Sequence, residues 1–352
     1  MLSIFAEINL IIMSFKSFAQ LTLVSIFLII VAGSVVRMTG SGMGCPDWPK
    51  CFGLVIPPTS VAQIEWQPGG TFVQGQMIIH QEKLWSATVG FVSTETYNSS
   101  NWTLYTKHDY AAFNPAHTWT EYVNRLIGAI SGILTFIMLL LSFRYWQTAR
   151  KIVYLSALVV LLMGFQGWLG AVVVYSVLQP VQITIHMLMA LLIVAIMMYL
   201  ITEIPNNSKS THLPYDHRLR KMVLFALRIT VAQVILGTQV RQLVDVVSKS
   251  LDFGQRDLWL DLVGNPFIIH RSVAIILVIV NGLLFIRNYK FNLGFTLPKF
   301  ILAVIFIEVF SGIVLSYMDM MALMQPIHMV AASVLFTLQT ALYFQLRKLK
   351  TT

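Results

Sequence analysis

Charge is scarce in this chain, and negative charge most of all. Only 15 of its 352 residues are Asp or Glu, and charged residues together make up 11%, against 57% hydrophobic. No soluble domain needs that much apolar surface, so the composition excludes one and leaves a polytopic membrane protein. The formal net charge of +9 does not point to nucleic acid, because Lys and Arg are dispersed through short loops with no basic patch. Cysteine is nearly absent: Cys45 and Cys51 are the only two, enough for a single disulfide. A cleavage site is missing as well. Met1–Ile12 are apolar but too short to span, and no small-residue motif follows them. They read as an upstream start before Met13 or as an interfacial stub, with the next segment a retained helix.

What is present is a set of long apolar runs. Eight are near the ~20 residues a bilayer requires: Phe18–Val36, Glu121–Phe143, Ile152–Val174, Val181–Ile201, Met222–Val240, Pro266–Ile286, Phe300–Met318 and Gln325–Phe344. The fold class expected is therefore all-α. Basic residues gather on one side, from Lys16 before segment 1 to Arg144, Arg150 and Lys151, then Lys209 and Arg218, then Arg287 and Lys290, and finally Arg347 and Lys348. By the positive-inside rule both termini are cytoplasmic.

The long outer loop between segments 1 and 2 carries Cys45-Pro-Asp-Trp-Pro-Lys-Cys51. On the outer side such a close pair can form a disulfide, and a staple is the expectation rather than a redox role. Glycines at the end of segment 1, from Gly33 to Gly44, are expected to break that helix. Met77 to Val92 shows helical spacing and reads as a surface helix on the membrane. Ser93–Lys107, rich in Ser, Thr and Asn, reads as a flexible connection.

Polar residues inside the spans are rare and costly, so each one is a functional candidate. His270 follows Asn-Pro-Phe-Ile-Ile and His328 follows Gln-Pro-Ile, each about a turn inside its helix because Pro suits a first helical turn. Two histidines on facing helices can clamp one planar metal cofactor, for which heme iron is the usual case. In segment 2, His117, Glu121, Asn124 and Gly128 are spaced four, three and four apart, forming one helical stripe. Glu121 must then face the bundle interior or a wet cavity.

The two halves of the chain repeat. Gly170 to His186 matches Gly312 to His328, and Gln166 and Glu308 sit equally far before those histidines. Asn124-Arg125 aligns with His270-Arg271, and Gly33-x-x-x-Arg37 with Gly237-x-x-x-Arg241. Segments 1–4 and 5–8 are thus expected to be two four-helix bundles in parallel repeat, residues 1–220 and 221–352. Arg37, Arg125, Arg241 and Arg271 cluster at the outer level, where guanidinium groups would suit heme propionates; simple snorkelling also accounts for Arg37 and Arg241. The halves differ at one place. The C-terminal half offers a histidine pair and the apolar Phe267, and the N-terminal half offers His186 with Glu121 and Asn124 opposite. The first suits a permanent redox cofactor, the second a substrate on which chemistry is done.

These residues resemble the heme A synthase family. The likeness rests on the eight segments, on Gly-Ser-Gly-Met-Gly-Cys-Pro-Asp-Trp-Pro-Lys-Cys after segment 1, on Glu-Tyr-Val-Asn-Arg in segment 2, and on the histidines of segments 4, 6 and 8. The resemblance implies heme B held by His270 and His328, with Arg271 and Arg241 nearby. It implies a heme O substrate at His186, with Asn124, Arg125, Arg37 and His117 as contacts. It also implies two successive oxidations of a porphyrin methyl to an aldehyde for terminal oxidases, with Glu121 as the catalytic group. Location in a bacterial inner membrane follows, as do heme O synthase and oxidase assembly proteins as partners and membrane lipid as the surroundings. The family has Glu-x-x-His-Arg where this chain has Glu121-x-x-Asn124-Arg125. Either the face toward Asn124 stays open or His117 substitutes as ligand. Two other classes compete: a b-type cytochrome exchanging electrons with quinone, and a repeat transporter, against which the lack of paired broken helices counts.

Overall fold

The computed structural model describes residues 14–106, 113–176, 178–205 and 213–351. Met1–Ile12, Met13, Lys107 and Lys209 lie outside them. Helices dominate: α1 (Phe15–Met38), α2 (Pro115–Ser142), α3 (Arg150–Tyr175), α4 (Pro180–Glu203), α5 (His217–Ser250), the short α6 (Trp259–Val263), α7 (Asn265–Lys290), α8 (Leu297–Tyr317) and α9 (Met324–Thr351). All but α6 are long and apolar enough to cross a membrane.

Local chemistry starts these helices. Ser14 accepts the Ser17 N–H at 3.1 Å to cap α1, and Asn114 accepts the Ala116 N–H at 2.9 Å to cap α2. Asp216 caps α5 through the Leu219 N–H. Pro115, Pro180, Pro266 and Pro298 stand in the first turns of α2, α4, α7 and α8, where a missing N–H costs nothing.

The helices close into two four-membered rings. In the first, α1 packs on α2, α2 on α3, α3 on α4, and α4 back on α1; in the second, α5 packs on α7, α7 on α8, α8 on α9, and α9 back on α5. Each ring has its own apolar core, with Ile26, Met138, Val159 and Met197 in one and Val223, Leu284, Ile301 and Leu342 in the other. Outward faces are apolar too: Leu161 is 70% and Phe306 72% exposed, as lipid-facing positions are. The rings meet where α4 faces α5 and α9, through Leu191, Val234 and Phe336. Polar bonds join them nearer the outer end, from Gln242 Nε2 to the Pro180 carbonyl at 2.7 Å and between the Thr184 and Thr238 hydroxyls at 3.1 Å.

The outer loop departs from the sequence expectation. Met77–Val92 is not a surface helix. It contributes β2 (Met77–His80) and β3 (Lys83–Ala87), while Thr71–Phe72 forms β1, Phe91–Val92 β4 and Trp102–Leu104 β5. Sheet order is β2-β3-β5, with a separate β1-β4 pair, all antiparallel. The reason is the turn: Gln81 and Glu82 both have positive φ, 52° and 59°, which makes a two-residue hairpin whose twist matches the strands. Ile78 then sits opposite Trp85 and Ile79 opposite Leu84. An apolar run this short fits either period, and the turn decides. Nor are the described residues 93–106 of the expected flexible connection loose, since Trp102 is buried against Phe72 and Phe91.

Two segment ends also differ. α1 runs through Gly33 to Met38, and the break comes at Gly40, whose φ is 67°. α5 continues ten residues beyond Val240, held by buried Val244 against Trp259 and Val263 of α6 and by the Arg241–Asp245 pair one turn apart.

Candidate functional site

Four positions, one on each of α2, α4, α7 and α9, share one construction: a side-chain tip laid over a glycine of the preceding membrane-spanning helix. A Cβ on Gly170 would lie 3.6 Å from His186 Cε1, one on Gly312 3.6 Å from His328 Cε1, and one on Gly237 3.1 Å from His270 Cε1. Gly33 stands in the same relation to Asn124 Oδ1, at 3.9 Å. At Gly237 any side chain would push into the ring, which accounts for glycine there. These glycines mark the sequence repeat, and their task as seats for the ligand positions appears only in three dimensions.

In the C-terminal ring the two imidazoles face each other, with centroids 6.4 Å apart and planes at 72°. Imidazole nitrogens on opposite sides of one metal, each about 2 Å from it, put the ring centroids about 6 Å apart. Among the described residues no group of three His, Cys, Asp or Glu could hold an ion by itself. A lone pair of imidazoles suits a metal that brings its remaining ligands with it, as a porphyrin iron does. Nδ1 of His328 is engaged by Glu308 Oε2 at 2.9 Å and by Ser311 Oγ at 2.9 Å. The His270 backbone is held by Gln233, whose Nε2 donates to its carbonyl at 3.0 Å, while its Nδ1 is buried without a partner.

The N-terminal ring has a cleft whose walls include Glu121, Asn124, Arg125, Gly170, Trp48 and His186. Residues read from the sequence as one substrate group therefore do converge. Gln166 Nε2 donates to the His186 carbonyl at 3.1 Å, repeating the Gln233 arrangement. His186 Nδ1 and Asn124 Oδ1 are buried without hydrogen-bond partners. Arg37 and His117 are not among the cleft's walls.

Glu121 and Arg125 do more than face the cleft. The disulfide between Cys45 and Cys51 is formed, and the loop it closes is clasped onto α2. Arg125 donates to the carbonyls of Asp47 at 2.7 Å and Lys50 at 2.8 Å and pairs with the Glu121 carboxylate. Glu121 accepts the Cys45 N–H at 2.9 Å, and the Gly44 backbone lies so close to that of His117 that a Cβ would come within 2.4 Å of its carbonyl oxygen. Tyr105 donates to the Pro46 carbonyl at 2.6 Å, and burial, ahead of the nearby Asp47, pushes its phenol up to about 12, so it stays a neutral donor. Burial also raises the Asp47 carboxyl above its ordinary value, against the Gly53 N–H and Arg125. The loop's Trp48 is thereby fixed as one wall of the cleft.

The family model for COX15-CtaA, a cytochrome oxidase assembly protein, matches residues 16–84 and 73–340. The chain belongs to this family. It is a multi-pass membrane protein of the COX15-CtaA type, built on eight apolar helices. Among curated relatives it is similar to the heme A synthase of Ehrlichia canis, 25% identical over 93% of this chain and 91% of that protein. The heme A synthase of Wolbachia pipientis wMel is 24% identical over 91% of this chain and 89% of its own length. That of Shewanella oneidensis is 26% identical over 62% of this chain, a match spanning 54% of the relative.

In this COX15-CtaA member the four arginines read as propionate partners have different surroundings. Arg125 is committed to the loop carbonyls and Glu121. Arg37 and Arg241, one from each ring, grip the same carboxylate, Asp245, at 2.9 and 3.0 Å. Arg271 is exposed, forms no ion pair among the described residues, and lies 5.7 Å from the Phe267 ring centroid. Asp245 was missed by sequence reasoning, although its spacing of four from Arg241 is a signal for an ion pair. Gln233 and Ser311 were missed for want of any local signal.

Proposed function

We propose that this chain is a heme A synthase, an enzyme that oxidises a methyl group of heme O to the formyl group of heme A in two successive steps. Its family membership and the asymmetry of the four glycine-backed positions support this reading. Three of them carry histidine and the fourth carries asparagine. The paired site in residues 221–352 is assigned to heme B, which His270 and His328 would hold, with Arg271 and Arg241 nearby. Bound there, heme B supplies one-electron redox chemistry.

Heme O is the substrate of the site in residues 1–220. His186 binds its iron from one side. Asn124 is a poor iron ligand and leaves the opposite face open, which the partnerless Oδ1 supports. Glu121 holds and moves a proton at that open face, while the clasped loop carrying Trp48 keeps water out of the cleft. Arg37, on the cross-ring pair with Asp245, and His117, one turn above the Glu121–Arg125 clasp, act at the entry and propionate end of the substrate. The protein works in a bacterial inner membrane with both termini cytoplasmic, receiving heme O from heme O synthase and delivering heme A to oxidase assembly.

The test is heme extraction after co-expression with a heme O source. Heme A present only when this chain is present is the expected outcome. Unaltered heme B as the sole heme gained would overturn the reading in favour of a b-type cytochrome.

A further inference from the structure

The Phe300–Tyr317 stretch of α8 carries a single charged residue, Glu308. A carboxylate in a membrane helix is costly and demands a partner. Its partner is one ring nitrogen: Oε2 lies 2.9 Å from His328 Nδ1, and Oε1 is buried with no partner at all. Ser311 Oγ, which donates to the Glu308 carbonyl at 3.1 Å, also lies 2.9 Å from the same nitrogen. With its own hydrogen committed to that carbonyl, the hydroxyl presents a lone pair to Nδ1. Both neighbours of Nδ1 are therefore acceptors, so Nδ1 carries the hydrogen and Nε2 is left as the bare donor atom.

Neither of the other histidines is treated this way. The position equivalent to Glu308 in the first ring is Gln166, which turns its amide to the His186 carbonyl at 3.1 Å. Gln233 does the same for the His270 carbonyl, and Nδ1 of both His186 and His270 is buried without a partner. One imidazole of three thus receives a carboxylate. A carboxylate on the far nitrogen makes an imidazole a stronger donor and favours the more positive state of the metal it binds.

We propose that Glu308 is a positioning residue that fixes the tautomer of His328 and, through it, lowers the reduction potential of the group held between His270 and His328. The proposal rests on the reading that this pair binds heme, and the two fail separately. Purified parent protein without a low-spin heme spectrum defeats the heme reading itself. Given that spectrum, a redox titration of Glu308→Gln should show the ferrous form favoured about tenfold over the parent, an upward shift of about 59 mV for one electron. Heme retained with an unchanged midpoint would overturn the proposal. Ser311→Ala supplies an arm that does not depend on that variant folding. It leaves the carboxylate as sole acceptor, so its midpoint should stay level or fall. A tenfold rise in the ferrous form in Ser311→Ala would assign the effect to the hydroxyl and overturn the role of Glu308.

Discussion

Arg125 is the residue whose loss should be felt furthest. Its guanidinium serves three acceptors at once, the Asp47 and Lys50 carbonyls and the Glu121 carboxylate, and the paired side chains are only 12% and 5% exposed. Replacing it with alanine leaves a buried carboxylate whose remaining partners are backbone groups of the loop, the Cys45 N–H at 2.9 Å among them. Breaking a buried pair from one side costs about 3–5 kcal/mol, mostly because the surviving charge is stranded. Arg125→Ala should therefore destabilise the first ring by about that amount. Arg125→Lys keeps a charge near Glu121 but cannot fork across two carbonyls and a carboxylate. Losing one charge-assisted bond there should cost about 1.5–3 kcal/mol. The reasoning turns on coupling. Adding Glu121→Gln to Arg125→Ala removes the stranded charge, so the double variant should be more stable than the sum of the singles by about 1–3 kcal/mol. The assay is unfolding in detergent for the four members of the cycle, with proteolysis of the outer loop as a local probe. Strict additivity would show that the two side chains do not act as one clasp, and the account of the loop would be wrong.

Other perturbations separate the remaining roles. Replacing Cys45 and Cys51 with serine opens a link across a sequence separation of 6, worth about 2 kcal/mol by loop entropy; turnover should persist at matched membrane levels, and its complete loss in folded protein would indicate a redox role instead. His270→Ala and His328→Ala should each abolish a low-spin heme spectrum, and its survival in the double variant would refute the ligand pair. With heme O bound, the parent and His117→Ala should give the same five-coordinate, high-spin signature, whereas Asn124→His should turn the site low-spin; a low-spin parent that becomes high-spin only in His117→Ala would make His117 the ligand. At the start of α5, the Arg287 fork holds the Asp216 carboxyl below its ordinary value of 3.8. Its contribution to stability should be present above that pH and vanish as the pH falls through the lower folded-state value. Unfolding of Asp216→Asn against the parent from about pH 7 down to about pH 2, well below the ordinary carboxylate value, checks this, and a gap that persists undiminished in acid would contradict it.

Much of this protein could be read along the chain because the membrane makes local signals decisive. Hydrophobic length alone sets eight spans, since a backbone in lipid must satisfy its own hydrogen bonds as a helix. Asn114 with Pro115 set the start of α2. The repeat spacing located Asn124, His186, His270 and His328, because residues at matched depth in matched helices come together when the bundles close. Outside the lipid that logic stops. Whether Met77–Val92 forms a helix or a hairpin was decided by two positive-φ residues and by pairing with a strand near residue 103, and the local apolar pattern fits both. Long-range partners were equally out of reach. Arg125 meets carbonyls more than seventy positions away, and Arg37 meets Asp245 across 208. A side chain's sequence neighbours give its depth and its face, which local periodicity encodes; which group it meets there depends on how separate helices and the loop pack, and only the tertiary structure decides that.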